Sequence, residues 1–177
     1  MDIREFLTLN SSRLNADILA DKIEEDLDVF DLVWEIMLED DPPVSMRAAW
    51  SISVFVMKHP YFIEPKIPDV VAALSEIKSE SVRRSLLKLL TLVPIPDEQS
   101  GFLFELCFGI VESPGAAIAH RAYAMKILYN ISETEPELKS ELIALFESYM
   151  DDESAGIQAC SRNLLKQLYR EIPPQGT

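Results

Sequence analysis

Eleven prolines constrain this chain more than any other feature. Pro42, Pro43, Pro60, Pro65, Pro68, Pro94, Pro96, Pro114, Pro136, Pro173 and Pro174 all stand between apolar segments, and none interrupts one. Proline lacks the amide proton that a helix interior needs and clashes with the preceding turn, so it marks where helices start and stop. The segments between are then helices of about 12–18 residues, paired and repeating roughly every 35–40 residues, which is the period of a helical solenoid.

The expected pairs can be read off in order. A weaker opening pair within 1–26 covers 2–9 and 14–25; repeats 27–59, 66–93, 97–132 and 136–171 follow. Their helices fall at 27–39 and 43–59, 66–78 and 80–93, 97–112 and 115–132, and 136–150 and 154–171. Helix starts are expected at Asp41-Pro42-Pro43 and Ser113-Pro114, at a capping box Thr134-Glu135-Pro136-Glu137, and at Ser79 and Ser154. Alternating strand patterns are absent, so the chain reads as all-α, an α-α superhelix of about five antiparallel helix pairs. With 177 residues, 48% of them hydrophobic, a single domain over 1–172 can bury its core, and 173–177 read as a disordered tail.

Within each pair the two helices differ. The first carries one apolar stripe: Phe30, Val33, Trp34, Met37 and Leu38 in 27–39, and Leu138, Leu142, Leu145, Phe146 and Tyr149 in 136–150. The second is greasier. In 43–59, Val44, Ala48, Ile52, Phe55 and Val56 make one stripe, and Met46, Trp50, Val54 and Met57 make another. Two apolar faces imply two neighbours, which places both tryptophans in the core and leaves a narrow polar line of Arg47, Ser51 and Lys58. The corresponding lines are Ser81, Arg84, Ser85 and Lys88; Tyr123, Lys126 and Asn130; and Asn163, Lys166, Gln167 and Arg170. In a solenoid these lines stack into one concave surface. The expected binding residues are therefore Arg47, Lys58, Arg84, Lys88, Tyr123, Lys126, Asn130, Lys166 and Arg170.

A motif recurs at the start of the second helices. It reads Asp41-Pro42-Pro43-Val44-Ser45-Met46-Arg47-Ala48-Ala49, then Ser79-Glu80-Ser81-Val82-Arg83, then Ile118-Ala119-His120-Arg121-Ala122, then Ile157 to Arg162. An acidic or polar turn, a Val-Arg step and small residues opening a helix resemble HEAT or armadillo-type repeats, in particular the short HEAT-like repeats of bilin-lyase-related proteins. The resemblance covers most of 27–171. It implies an α-solenoid in which Arg47, Arg83, Arg121 and Arg162 tie turns and neighbouring repeats together.

Residues able to carry chemistry are sparse. Cys107 and Cys160 lie in apolar helices and read as small buried hydrophobes, so no disulfide framework is expected. His59 and His120 have no histidine or cysteine partner at metal-ligand spacing. The acidic knots Glu39-Asp40-Asp41 and Asp151-Asp152-Glu153 lack the spacing of a twelve-residue calcium loop and read as caps on one rim. No catalytic residue, metal site or cofactor is assigned.

The charge points the same way. The net charge is −14, and residues 1–42 hold thirteen acids against three bases. Such a surface repels phosphate, which disfavours nucleic acid and anionic membranes as partners. No apolar run reaches the length of a membrane span, and the opening residues lack the basic and apolar parts of a secretory leader, so a cytoplasmic protein is expected. The leading expectation is a non-catalytic scaffold that holds a protein partner on its concave face or acidic N-terminal rim. The resemblance also admits a HEAT-fold enzyme or carrier, similar either to alkylpurine DNA glycosylases or to a bilin-lyase-like small-molecule binder. A homodimer through a terminal helix pair is expected if Leu164, Leu165 and Leu168 stay uncovered.

Overall fold

The structure is a computed structural model and describes residues 1–152 and 154–172. Glu153 and the expected tail over 173–177 lie outside the described residues. Among the described residues ten α-helices run in chain order: α1 (Ile3–Thr8), α2 (Arg13–Glu25), α3 (Asp28–Leu38), α4 (Val44–Lys58), α5 (Ile67–Glu76), α6 (Glu80–Leu90), α7 (Asp97–Glu112), α8 (Ile118–Thr134), α9 (Lys139–Ser148) and α10 (Ala155–Glu171). Short 3-10 turns occupy Pro60–Phe62, Glu64–Lys66 and Pro136–Leu138, and the described residues hold no strand. The helices pack in sequential pairs, α3 with α4, α5 with α6, α7 with α8 and α9 with α10. Contacts gather into two compact units, Met1–Val93 and Pro94–Thr177.

In the first unit α4 is the central helix, packed against α1, α2, α3 and α6. It can take so many neighbours because Ser45, Ala48, Ala49, Ser51 and Ser53 are small and buried. The hydroxyls of Ser51 and Ser53 donate back to the carbonyls of Arg47 (3.1 Å) and Ala49 (2.8 Å), so these two polar groups are satisfied within the helix. An aromatic cluster fills the far end: Phe30 lies 5.9 Å from Trp34 and 5.6 Å from Phe55, and Phe55 lies 4.9 Å from Phe62. Each such pair adds about 0.5–1.5 kcal/mol beyond the area it buries. In the second unit α8 packs against α7, α9 and α10 over Leu103, Cys107, Met125, Leu128 and Phe146, all fully buried.

Four helix starts are capped by a side chain. Ser79 accepts from the Val82 amide (3.4 Å) and Ser154 from the Ile157 amide (3.3 Å), as the sequence indicates. Asp2 and Ser12, which the sequence did not single out, accept from Glu5 (3.0 Å) and Asn15 (3.1 Å). The other expected caps do not form. α4 starts behind Pro43 without a capping side chain. Ser113 closes a turn through its carbonyl to the Ala116 amide, which delays α8 to Ile118. Thr134 ends α8 and donates its hydroxyl back to the Ile131 carbonyl (3.0 Å), so it cannot cap the next helix. Glu135 instead accepts from the Ser100 hydroxyl at 2.6 Å.

Two burial expectations are corrected. Trp34 is core at 3% exposure, but Trp50 is 37% exposed, and Met46 and Met57 on the same face reach 38% and 58%. Of the second stripe of α4 only Val54 is buried (6% exposed); the helix meets α1 and α2 through the side that carries Ser51 and Arg47, which leaves Met46, Trp50 and Met57 partly open. Leu164, Leu165 and Leu168 are buried within the second unit, where α10 packs on α8 and α9, so they leave no uncovered terminal patch for a dimer.

Candidate binding face

Three of the four recurring arginines meet backbone carbonyls at helix ends. Arg47 donates to the Leu7 carbonyl near the end of α1 (2.8 Å), Arg83 to that of Ile77 just past α5 (2.7 Å), and Arg121 to that of Val111 in the last turn of α7 (3.0 Å). The last carbonyls of a helix lack intrahelical donors and carry the negative end of its dipole, so a guanidinium there answers both needs. Arg121 also reaches Asp152 (3.0 Å) and stacks 4.9 Å over the Tyr149 ring. Arg162 is exposed.

Glu39, Asp40 and Asp152 of the acidic knots are tied into the fold. Asp40 has a left-handed backbone, φ 55°, and its carboxylate accepts from the amides of Lys78 (2.7 Å) and Ser79 (3.1 Å), where α6 begins. Glu39 pairs with Arg4 of α1 (2.9 Å). Asp152 accepts from the Ser154 amide (2.8 Å); that bond, with Arg121 beside it, holds its carboxyl below the usual range. Among the described residues no group of histidine, cysteine and carboxylate side chains is arranged to hold a metal ion.

The expected binding residues separate on these contacts. Arg47 is half-buried and committed to Leu7, so it belongs to the helix packing and not to a free polar line. Lys58 is exposed but lies 3.3 Å from Asp21 and 3.4 Å from Glu24, which raise its pKa and cancel its charge. Arg84 and Lys88 behave differently. Arg84 is exposed one turn before Lys88 on α6, and the Lys88 ammonium sits 3.2 Å from the Met57 sulfur. Burial, with Arg13 and Arg84 nearby, pushes the Lys88 ammonium below its ordinary value.

These cations border the exposed side of α4. Met46, Trp50 and Met57 fall at i, i+4 and i+11 and share that face. Trp50 also borders a small, shallow cleft lined by Phe6, Asn10, Ser12 and Asn15 from the α1–α2 segment. Arg13 is exposed at the start of α2, and its guanidinium pairs with Asp17 at 2.9 Å. The result is an apolar face about three turns long with Lys88 at its Met57 end, in a chain of net charge −14. The sequence held one signal for it, the second stripe of α4, which reads as core because periodicity shows a face to be apolar without showing what covers it.

In the second unit, Tyr123 and Lys126 come together on α8, the ammonium 5.7 Å over the ring. Asn130 is half-buried further along α8, and Lys166 and Arg170 are exposed one turn apart on α10. Cys160 lies close enough to Lys126 to feel its charge, yet burial dominates and raises its thiol. Cys107 is enclosed and pushed up to about 12, the opposite of what a nucleophile needs. His59 sits at the end of α4 with its Nε2 2.9 Å from Glu24 and its ring 4.9 Å from Phe55, while His120 is buried at the start of α8. No helix among the described residues is long and apolar enough to cross a membrane.

Comparison with curated proteins and with solved structures finds no match. The sequential helix pairs and the arginines that bind preceding helix ends are the construction of a helical repeat. A family model for the HEAT repeat domain matches residues 3–168, and the chain belongs to that family.

Proposed function

We propose that the chain is a non-catalytic protein-binding scaffold whose partner seats on the α4–α6 face of the Met1–Val93 unit. One observation carries the reading: Trp50, Met46 and Met57 are exposed together on the central helix of a tightly packed unit. An exposed Trp–Met strip with cations at its rim has the make-up of a protein interface centre, where aromatic residues, methionine and arginine are enriched. HEAT repeats commonly mediate protein–protein interactions, which agrees with it.

The acidic N-terminal rim is the weaker choice. Asp17 is paired with Arg13, Asp21 and Glu24 with Lys58, Asp31 with Lys66 and Glu39 with Arg4, so part of the rim's charge is held inside the unit. Charge alone gives steering more than affinity, whereas the α4–α6 face presents an exposed tryptophan, Trp50.

The test is affinity capture from native lysate at low and moderate salt, with the wild-type chain and with Arg84→Glu/Lys88→Glu. One stoichiometric protein, lost in a double variant of unchanged helical content, supports the scaffold and its face. Retention by the folded variant moves the site elsewhere. Recovery of nucleic acid or a coloured small molecule with no protein overturns the reading in favour of an enzyme or carrier.

A further inference from the structure

We infer that the α4–α6 face takes a short acidic segment of a partner protein, its apolar side chains seated on Trp50 and Met57 and its carboxylates on Arg84 and Lys88. The inference rests on the scaffold reading above and adds the chemical class of the partner.

Local charge carries it. The chain as a whole is at −14, so its overall field attracts basic segments and repels acidic ones. The strip is an exception. Lys88 is half-buried, its nearest recorded neighbours in charge are Arg13 and Arg84, and its contact is the Met57 sulfur. The Lys88 ammonium lies 3.2 Å from the Met57 sulfur, whereas Lys58, one residue past Met57, is held by two carboxylates. A half-buried ammonium beside like charges gains when an anion arrives, because the incoming carboxylate relieves the repulsion and replaces lost water. A basic segment would add a further like charge at a half-desolvated site, which costs affinity and excludes wrong partners.

Geometry sets the size of the segment. From Met46 to Met57 is eleven residues of helix, roughly 16 Å at 1.5 Å per residue. About three turns of an amphipathic helix, or about five extended residues, span that length. Trp50 lies towards one end beside the α1–α2 cleft, and the cations lie at the other, near Met57. The segment is therefore apolar at one end and acidic at the other. A long polyanion such as nucleic acid fits poorly, since it would extend past two or three cations onto the acidic surface.

The experiment is selection of random twelve-residue peptides displayed on phage against the full chain, with counter-selection on Arg84→Glu/Lys88→Glu. The expected outcome is enrichment of peptides with an aromatic or aliphatic anchor and at least two Asp or Glu. As synthetic peptides they lose about tenfold or more in affinity for the double variant and for Trp50→Ala, and weaken with salt. Enrichment of basic peptides, as the overall charge favours, overturns the inference, and so does recovery of no peptide that discriminates the variant. A single-stranded oligonucleotide that binds the wild type and not the variant also overturns it. If either glutamate variant loses helical content, Arg84→Gln/Lys88→Gln replaces it, with the same loss expected. Should capture from lysate yield a partner lost in the double variant while the selection yields basic peptides, the scaffold stands and the acidic class falls.

Discussion

The guanidinium of Arg121, on α8, holds the carboxylate of Asp152 at 3.0 Å in the turn before α10. The same side chain donates to the Val111 carbonyl at the end of α7 and stacks on Tyr149 behind α9. One residue thus joins four consecutive helices of the second unit, and both partners are little exposed. Arg121→Ala leaves a helix-end carbonyl and a carboxylate unanswered, and should lower stability by about 1–3 kcal/mol. A urea titration followed by helical signal measures it, and an unchanged midpoint would show the tie to be ornamental.

The carboxyl of Asp152 also fixes a pH dependence. Its folded pKa is depressed, first by the Ser154 amide and then by Arg121. A depressed folded value means stabilisation that is fully present above the unfolded value, about 3.9, and is lost as pH falls through the folded one. Wild type should therefore lose stability faster than Asp152→Asn between about pH 4 and pH 2. Denaturation midpoints taken across that range test it, and parallel curves would remove Asp152 as the titrating group.

Asp40 combines a cap with an unfavourable backbone. Its carboxylate holds the Lys78 and Ser79 amides, while its φ of 55° suits glycine or asparagine better than a bulkier residue. Asp40→Ala loses the cap and retains the strain, at about 1–2 kcal/mol for the cap and about 1 kcal/mol more for the backbone. Asp40→Gly loses the cap alone. The alanine variant should melt below the glycine variant; the reverse order would mean that the turn does not hold this conformation in solution.

Much of this fold was legible because proline and apolar spacing report local geometry. α7 runs Asp97–Glu112, the span bounded by Pro96 and Ser113-Pro114, and Ser79 and Ser154 cap the helices they precede. The capping box at Thr134 was not legible, because the hydroxyl of a threonine can turn back to its own helix as readily as forward to the next. The binding face was half legible. Arg84 and Lys88 fell on the expected line, but Arg47 and Lys58 drop out through contacts with Leu7, Asp21 and Glu24 that lie about 35–40 residues away in sequence. Trp50 was hidden for the same reason: which face of α4 is covered depends on where α1, α2 and α6 pack, and a helical period carries no information about that.

The thiols give a prediction free of the binding face. Cys107 is enclosed and its thiol stands at about 12, and Cys160 is raised by burial. Thiolate is the reactive form, so at pH 8 both should react with a maleimide or disulfide reagent far more slowly than free cysteine. Cys160, which borders Lys126, should be the faster of the two. Denaturant should bring both to the free rate. Rapid native labelling of Cys107 would show that the α7–α8 core opens readily.

The two tryptophans report separately on core and face, and each has its own expected cost. Trp34 stacks on Phe30 with Lys66 5.8 Å from its ring and is 3% exposed, so Trp34→Ala should cost about 3–5 kcal/mol. Trp50 is 37% exposed, and Trp50→Ala should cost under about 1 kcal/mol. The native emission should divide into a blue component that acrylamide hardly quenches and a redder one that it quenches readily. Trp50→Phe should remove the second and leave the first. If Trp50 proves as shielded as Trp34 in the isolated chain, something covers the strip before any partner arrives. A light-scattering mass above one 20.0 kDa chain would then identify the cover as a second copy, and dilution that restores quenching at Trp50 would confirm that the face exchanges between copies and partners.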